Sequence, residues 1–250
     1  MLTVEPLLSR GGAEVEVPLA AIAAGRYDEM IREDARIAAR HAGPILLRWA
    51  QEMNGTWFPE RSADPKAFVA SWIRFVEIFR EEGATNVEFV WTPSVEDVAG
   101  AKPMEPYFPG EQYVDYVGLD GYNWGGSSRR SFGQVFAASY ERLARLSAKP
   151  MIIGETASAP GPAKGEWIRS GFLRELPQRF PAVVAVVWFS KDLSREGQRD
   201  WRIETSPDAV AAWREVLASA PRAGEPTPLQ RLLDVVGGWL RRLAGALLGH

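Results

Sequence analysis

Short, nearly continuous apolar runs alternate along the chain with longer stretches whose apolar residues recur every three to four positions. The short runs are Leu2–Pro6, Pro44–Trp49, Val87–Trp91, Val114–Asp120, Pro150–Glu155 and Val183–Phe189. They are rich in Val, Ile, Phe, Tyr and Trp and mostly lack polar alternation, which predicts parallel strands buried on both faces. The longer stretches predict helices. Arg26–His41 places Met30, Ile31, Ala35 and Ile37 on one stripe, and Gly43-Pro44 ends it. Asp64–Glu82 opens with an N-cap and a proline at the first helical position, then carries Phe68, Trp72, Phe75, Val76 and Phe79. Ser131–Ser147, Lys164–Phe180 and a segment beginning at Ser206-Pro207 complete the set. Strand then helix, six times over, predicts an α/β fold with a parallel sheet and right-handed crossovers, open or closed into a barrel.

The pattern changes after Ala220. Pro221–Pro228 reads as a Pro-rich linker, and Leu229–Leu248 as an amphipathic C-terminal helix. Its Leu and Val stripe opposes Arg231, Asp234, Arg241 and Arg242. Two readings stand: a helix docked on an open flank of the domain, or one that contacts a membrane surface or a partner. The expected organisation is therefore a domain over 1–220, a linker over 221–228 and a helix over 229–250.

Composition narrows the chemistry. The 250 residues suit one large α/β domain. A net charge of −3 without a long basic run argues against nucleic acid as a partner. With 0 cysteines there is no disulfide, thiol nucleophile or thiolate metal site. His41 and His250 are the only histidines, which nearly excludes a histidine triad or a multi-histidine zinc site. Carboxylate chemistry remains, helped by 10 Trp and 6 Tyr. The first residues lack the basic start and apolar core of a signal peptide, and no apolar run reaches the roughly 18 residues of a spanning helix. Read literally, the chain is soluble and cytoplasmic.

The strongest local signal is Arg48-Trp-Ala-Gln-Glu-Met-Asn-Gly-Thr-Trp57, where a buried strand runs into a polar tip. Alternation puts Leu46, Arg48, Ala50 and Glu52 on one face, at the strand's carboxyl end, where α/β folds bind ligands. Either Arg48 and Glu52 are functional or they form a structural pair; a charge on a buried strand needs one or the other. A second strand, Lys149–Glu155, also ends in a carboxylate, with Met151, Ile153 and Glu155 on one face. Two glutamates facing each other across a barrel mouth are what glycoside hydrolysis requires. Asp120, Tyr122, Asn123 and Trp124 end a third strand, and Trp188 ends a fourth. Aromatic rings there would stack on sugar faces. Trp72 and Trp213 lie on helical stripes and read as core.

These stretches, with Val87–Pro93 and Val186–Phe189, resemble glycoside hydrolase family 26, the family of β-mannanases with some mixed-linkage glucanases and β-1,3-xylanases. The likeness runs in order from about Leu2 to Leu217. It implies a (β/α)8 TIM barrel and retaining chemistry on a β-1,4-linked polysaccharide, mannan first, with mixed-linkage glucan and xylan as alternatives. Glu52 would be the acid/base and Glu155 the nucleophile, with Tyr122 hydrogen-bonded to it. Arg48 would sit beneath the pair, Trp188 would floor the subsite at the cleaved bond, and Trp57 would line the cleft. Gln51, Asn54, Asp120 and Trp124 complete the expected substrate contacts. No cofactor or metal is needed. The family points to an extracellular or periplasmic setting. The sequence departs from the family pattern at Gln51, where histidine is usual. It departs again at its start, because Leu2–Pro6 resembles the third strand, so the first two β/α units are expected to be missing. The competing reading is a weakly active or inactive carbohydrate-binding or polysaccharide-assembly protein on the same fold.

Overall fold

A computed structural model describes residues 1–95 and 99–219. The linker over 221–228 and the helix expected over 229–250 lie outside the described residues. All six predicted strands form and pair in parallel. They are β1 (Leu2–Val4), β4 (Ile45–Trp49), β5 (Val87–Trp91), β6 (Tyr116–Asn123), β7 (Met151–Ser158) and β8 (Val183–Trp188), in the sheet order β1-β4-β5-β6-β7-β8. Each strand neighbours the next sheet strand in sequence. The sheet curls as part of a barrel, and among the described residues β1 and β8 are its two edges. The eight-stranded closure expected from the family is thus not what these residues form.

The pattern did not predict the hairpin of β2 (Leu7–Arg10) and β3 (Ala13–Glu16). Its signal is Gly11-Gly12, with φ of 61° and 85°, a two-residue turn that glycine enters without steric cost. Two short helices, α1 (Leu19–Ala23) and α3 (Pro59–Ala63), were likewise hidden by their length.

The longer helices form close to their expected bounds: α2 (Asp28–Ala39), α4 (Pro65–Glu81), α5 (Phe132–Leu146) and α8 (Pro207–Ser219). Asp64 caps α4 by accepting from the Lys66 N–H at 2.8 Å, and Ser131 with Gln134 forms a reciprocal capping box on α5. The stretch expected as one helix from Lys164 to Phe180 is instead α6 (Lys164–Arg169), a π-helical segment (Ser170–Glu175) and α7 (Leu176–Arg179).

The stripe of α4 packs on β4 and β5 through an aromatic cluster. Trp49 stacks on Phe75 with centroids 4.9 Å apart, and Phe79 meets Phe89 edge-on at 5.8 Å. Trp72 is buried as expected, its indole N–H satisfied by the Tyr113 carbonyl at 3.0 Å. Fully burying one such aromatic ring contributes about 1.5–3 kcal/mol. This layer makes the carboxyl ends of β4 and β7 a fixed platform for the residues beyond them.

Candidate active site

Both expected glutamates lie at strand ends, yet strand alternation aims neither of them. β4 stops at Trp49, and Ala50 and Glu52 then take left-handed conformations with φ of 46° and 53°. For residues other than glycine this costs on the order of 1–3 kcal/mol each and persists only where surroundings enforce it. Here Ala50 N–H donates to the Val4 carbonyl at 3.0 Å, and Glu52 N–H to the Thr92 carbonyl at 2.8 Å. Arg61, itself fully buried, donates from Nη1 to the Gln51 carbonyl at 3.0 Å. The turn carries Glu52 into a cleft. Gly55 then lets the chain fold back, because a Cβ there would stand 2.2 Å from the Trp57 ring. The Trp57 indole N–H consequently reaches Glu52 Oε2 at 2.7 Å.

On β7 the device is a bulge. Leu119 opposes Ile153 and Asp120 opposes Glu155, which leaves Gly154 as the extra residue. Such a bulge re-aims the side chain that follows it. A Cβ on Gly154 would lie 2.6 Å from Asp120 Oδ1 and 3.0 Å from Arg48 Nη1, so only glycine lets that pair fit here. Arg48 donates to Asp120 Oδ2 at 2.9 Å, to Thr3 Oγ1 at 3.1 Å and to Glu155 Oε1. The Tyr122 hydroxyl donates to the other oxygen of Glu155. Glu155 is thus gripped at both oxygens, whereas Glu52 receives one indole bond. The Arg48–Glu52 pair considered as a structural alternative does not form as a hydrogen-bonded contact; Arg48 turns to Asp120 and Glu155.

The electrostatics follow from this asymmetry. Desolvation, then the charge of Glu155, pushes the Glu52 pKa up to about 7, against the bond from Trp57 and the charges of Arg48 and Arg61. Burial opposes the charge on Arg48, but Asp120 and Glu155 outweigh it and hold its pKa above the usual guanidinium value. Burial drives the Asp120 carboxyl well above its ordinary range, although Arg48 opposes the shift. Burial and then Glu155 raise the Tyr122 hydroxyl far above its usual value, so it remains a donor.

The cleft has a volume of about 550 Å³. Glu52, Trp57, Ser94, Ala99, Tyr122, Trp124, Phe189, Leu193, Arg199 and Trp201 are among the residues that line it. Of the expected residues, Glu52, Glu155, Arg48, Tyr122, Trp57 and Trp124 come together here. Glu52, Trp57, Tyr122 and Trp124 line the cleft, and Glu155 and Arg48 join them through the bond that Tyr122 donates to Glu155. The other four lie off the lining. Asp120 is fully buried and meets the site through Arg48 and the Glu155 backbone. Asn54 is fully buried and clamps Ser94 and Lys102, accepting from the Ser94 N–H at 2.8 Å. Gln51 turns toward β1 and donates to Glu5 at 3.0 Å. Trp188 packs among Trp167, Phe172 and Trp213, and its N–H is taken by the Trp201 carbonyl at 2.9 Å. These four side chains are thus held by contacts within the protein and are not part of the cleft lining. The aromatic wall comes instead from Trp201, whose ring centroid is 5.1 Å from both Tyr122 and Trp124. Trp201 was legible only as an aromatic residue in an otherwise polar stretch before α8.

Curled parallel sheet and paired glutamates at its carboxyl end together define the class, a β/α-barrel-type chain with a glycoside-hydrolase-like cleft. The match of residues 22–213 to Glycosyl hydrolase family 26 makes it specific: the chain belongs to that family. It is 36% identical over 207 residues to Endoglucanase H of Acetivibrio thermocellus, covering 78% of this chain and 22% of that protein. It is 30% identical over 147 residues to Beta-1,3-xylanase TXYA of a Vibrio species, covering 54% of this chain and 28% of that one. A solved Cellulomonas fimi endo-β-1,4-mannanase double mutant shares the fold with a TM-score of 0.65 at 19% identity, over 87% of this chain and 53% of that one. The chain spans about a quarter of the length of these two curated relatives.

Proposed function

We propose that this chain is the catalytic region of a retaining endo-β-glycanase, with Glu52 as acid/base and Glu155 as nucleophile. The observation that carries the reading is the contrast between two neighbouring carboxyls, Glu52 lining the cleft and Glu155 bonded to its wall at Tyr122. Glu52, at a pKa of about 7, can hold a proton for the leaving oxygen near neutral pH and take one from water afterwards. Glu155, positioned by Arg48 and Tyr122, suits attack at the anomeric carbon. In the first step the glycosidic bond breaks as Glu52 protonates its oxygen and Glu155 forms a glycosyl ester. In the second, Glu52 deprotonates water, which displaces Glu155 with a second inversion, so the β configuration is retained.

Trp57 and Trp124 supply sugar-stacking surfaces along the cleft, and the buried Trp201 ring packs against Trp124. Mannan is the first polymer expected, and the likeness to Endoglucanase H supports a β-glucan beside it. On this reading the six strands stand as the third to eighth of the family's barrel, consistent with their unbroken parallel order.

The test is hydrolysis of β-mannan, mixed-linkage β-glucan and β-xylan, with the product anomer followed by NMR at early times. Retention of the β anomer supports the reading. Release of the α anomer replaces double displacement by inversion. Binding without cleavage of any polymer replaces the enzyme by a carbohydrate-binding protein.

A further inference from the structure

The cleft wall formed after β8 presents a cation that neither the chemistry above nor the fold uses. Arg199 lines the cleft, and its guanidinium lies over the Trp124 ring, 5.3 Å from the centroid. The buried arginines near the site are committed elsewhere, Arg48 to Asp120 and Glu155, Arg61 to Glu5 and Glu16. Closer at hand, Asp192 and Asp200, the acidic residues flanking this part of the loop, both pair with Arg202, at 3.2 and 2.6 Å. Among the described residues no carboxylate pairs with Arg199.

Its place is nevertheless fixed by backbone. Leu193 N–H donates to the Arg199 carbonyl at 3.1 Å, and Trp201 N–H to the Lys191 carbonyl at 2.9 Å. Asp192 and Asp200 form an antiparallel bridge, and Leu193 and Trp201 are buried anchors on either side. A loop closed in this way holds Arg199 at the cleft wall. Stacking on Trp124 leaves the in-plane N–H groups of the guanidinium free to meet an acceptor, and a carboxylate is the acceptor that their fork geometry matches.

Resting on the glycanase reading, we infer that Arg199 selects a polysaccharide bearing carboxylate groups: uronosyl units are bound along the Trp124–Trp201 wall, with the sugar carboxylate paired to Arg199. The uronosyl unit belongs to the backbone or to a short branch; the charge recognised is the same.

The experiment uses the full chain as Glu52→Gln, so that binding is read without turnover. Its affinity is measured by calorimetry for glucuronosyl-substituted β-1,4-xylan and for the same polymer after carboxyl reduction. We expect the acidic form to bind about 5- to 10-fold more tightly at low salt, and the preference to fall toward unity in 0.5 M NaCl, as expected for a partly exposed ion pair. Adding Arg199→Gln should erase the preference while changing affinity for the reduced polymer less than twofold. A carboxymethylated linear β-glucan beside its neutral parent separates backbone from branch charge, since it carries carboxylates without branches. Equal affinity for each acidic polymer and its neutral counterpart overturns the inference, as does a preference that survives Arg199→Gln. Binding of none of the four polymers overturns the inference, and the glycanase reading falls with it only where β-mannan is not cleaved either.

Discussion

The Trp57 indole donates to Glu52 Oε2 at 2.7 Å, the one hydrogen bond that the Glu52 carboxyl receives among the described residues. Burial therefore dominates the Glu52 environment, and its pKa of about 7 stands above the ordinary 4.5. The raised value means that the folded state binds the Glu52 proton more tightly than the unfolded chain does. Its contribution to stability is full below pH 4.5 and is lost as pH rises through about 7. Glu52→Gln, which is neutral throughout, should be more stable than wild type above pH 7 by up to about 3 kcal/mol, at roughly 1.4 kcal/mol per pKa unit. Below pH 4.5 the difference should vanish. Denaturant melts at both ends of this range check it, and a gain independent of pH would place the Glu52 pKa elsewhere.

The same carboxyl sets the activity profile. The alkaline limb of kcat/KM should fall with an apparent pKa near 7. Trp57→Phe removes the indole donor, and that bond lowers the Glu52 pKa, so the limb should move to higher pH. A limb that stays in place would mean another group governs it.

Tyr122→Phe keeps the ring and deletes the donor to Glu155. A hydrogen bond to a charged partner contributes about 1.5–3 kcal/mol, so kcat should fall about 10- to 100-fold with little change in KM. A rise in KM alone would assign Tyr122 to the sugar-binding wall only.

Arg48→Met leaves Asp120 buried and without its cation. Breaking such a pair on one side costs about 3–5 kcal/mol. Arg48→Met with Asp120→Asn should recover a large part of that loss in stability, yet not the activity, because Glu155 still lacks its donor. Thermal melts and hydrolysis rates on the single and double variants separate the two effects.

Much of this molecule is written in its apolar pattern. All six strands and the long helices follow from runs and stripes, because burial on both faces of a parallel sheet leaves few polar residues in the strands. Capping at Asp64 was legible for a local reason too. The site was legible in residue identity and not in direction. Alternation along β4 and β7 names Glu52 and Glu155, but a left-handed turn at Ala50–Glu52 and a bulge at Gly154 set where they point. Those two features rest on tertiary hydrogen bonds and close approaches, to Val4, Thr92, Arg61 and Asp120, which no local pattern records. Asp120 and Asn54 sit at strand tips among polar neighbours and read from sequence as contact residues; only burial shows that they brace the site. Trp188 reads the same way until its N–H is seen bonded to Trp201.

The loop from Lys191 to Trp201 has a further consequence. The N–H groups of Leu193 and Trp201 bond within the loop, and it delivers Leu193, Arg199 and Trp201 to the cleft while the two glutamates come from β7 and the turn after β4. On the proposed reading, recognition on that wall and bond-breaking would be encoded in separate, non-overlapping stretches of the chain. A lineage could exchange this one short cassette and acquire a new polymer without revisiting the reaction, and an engineer could graft it for the same reason.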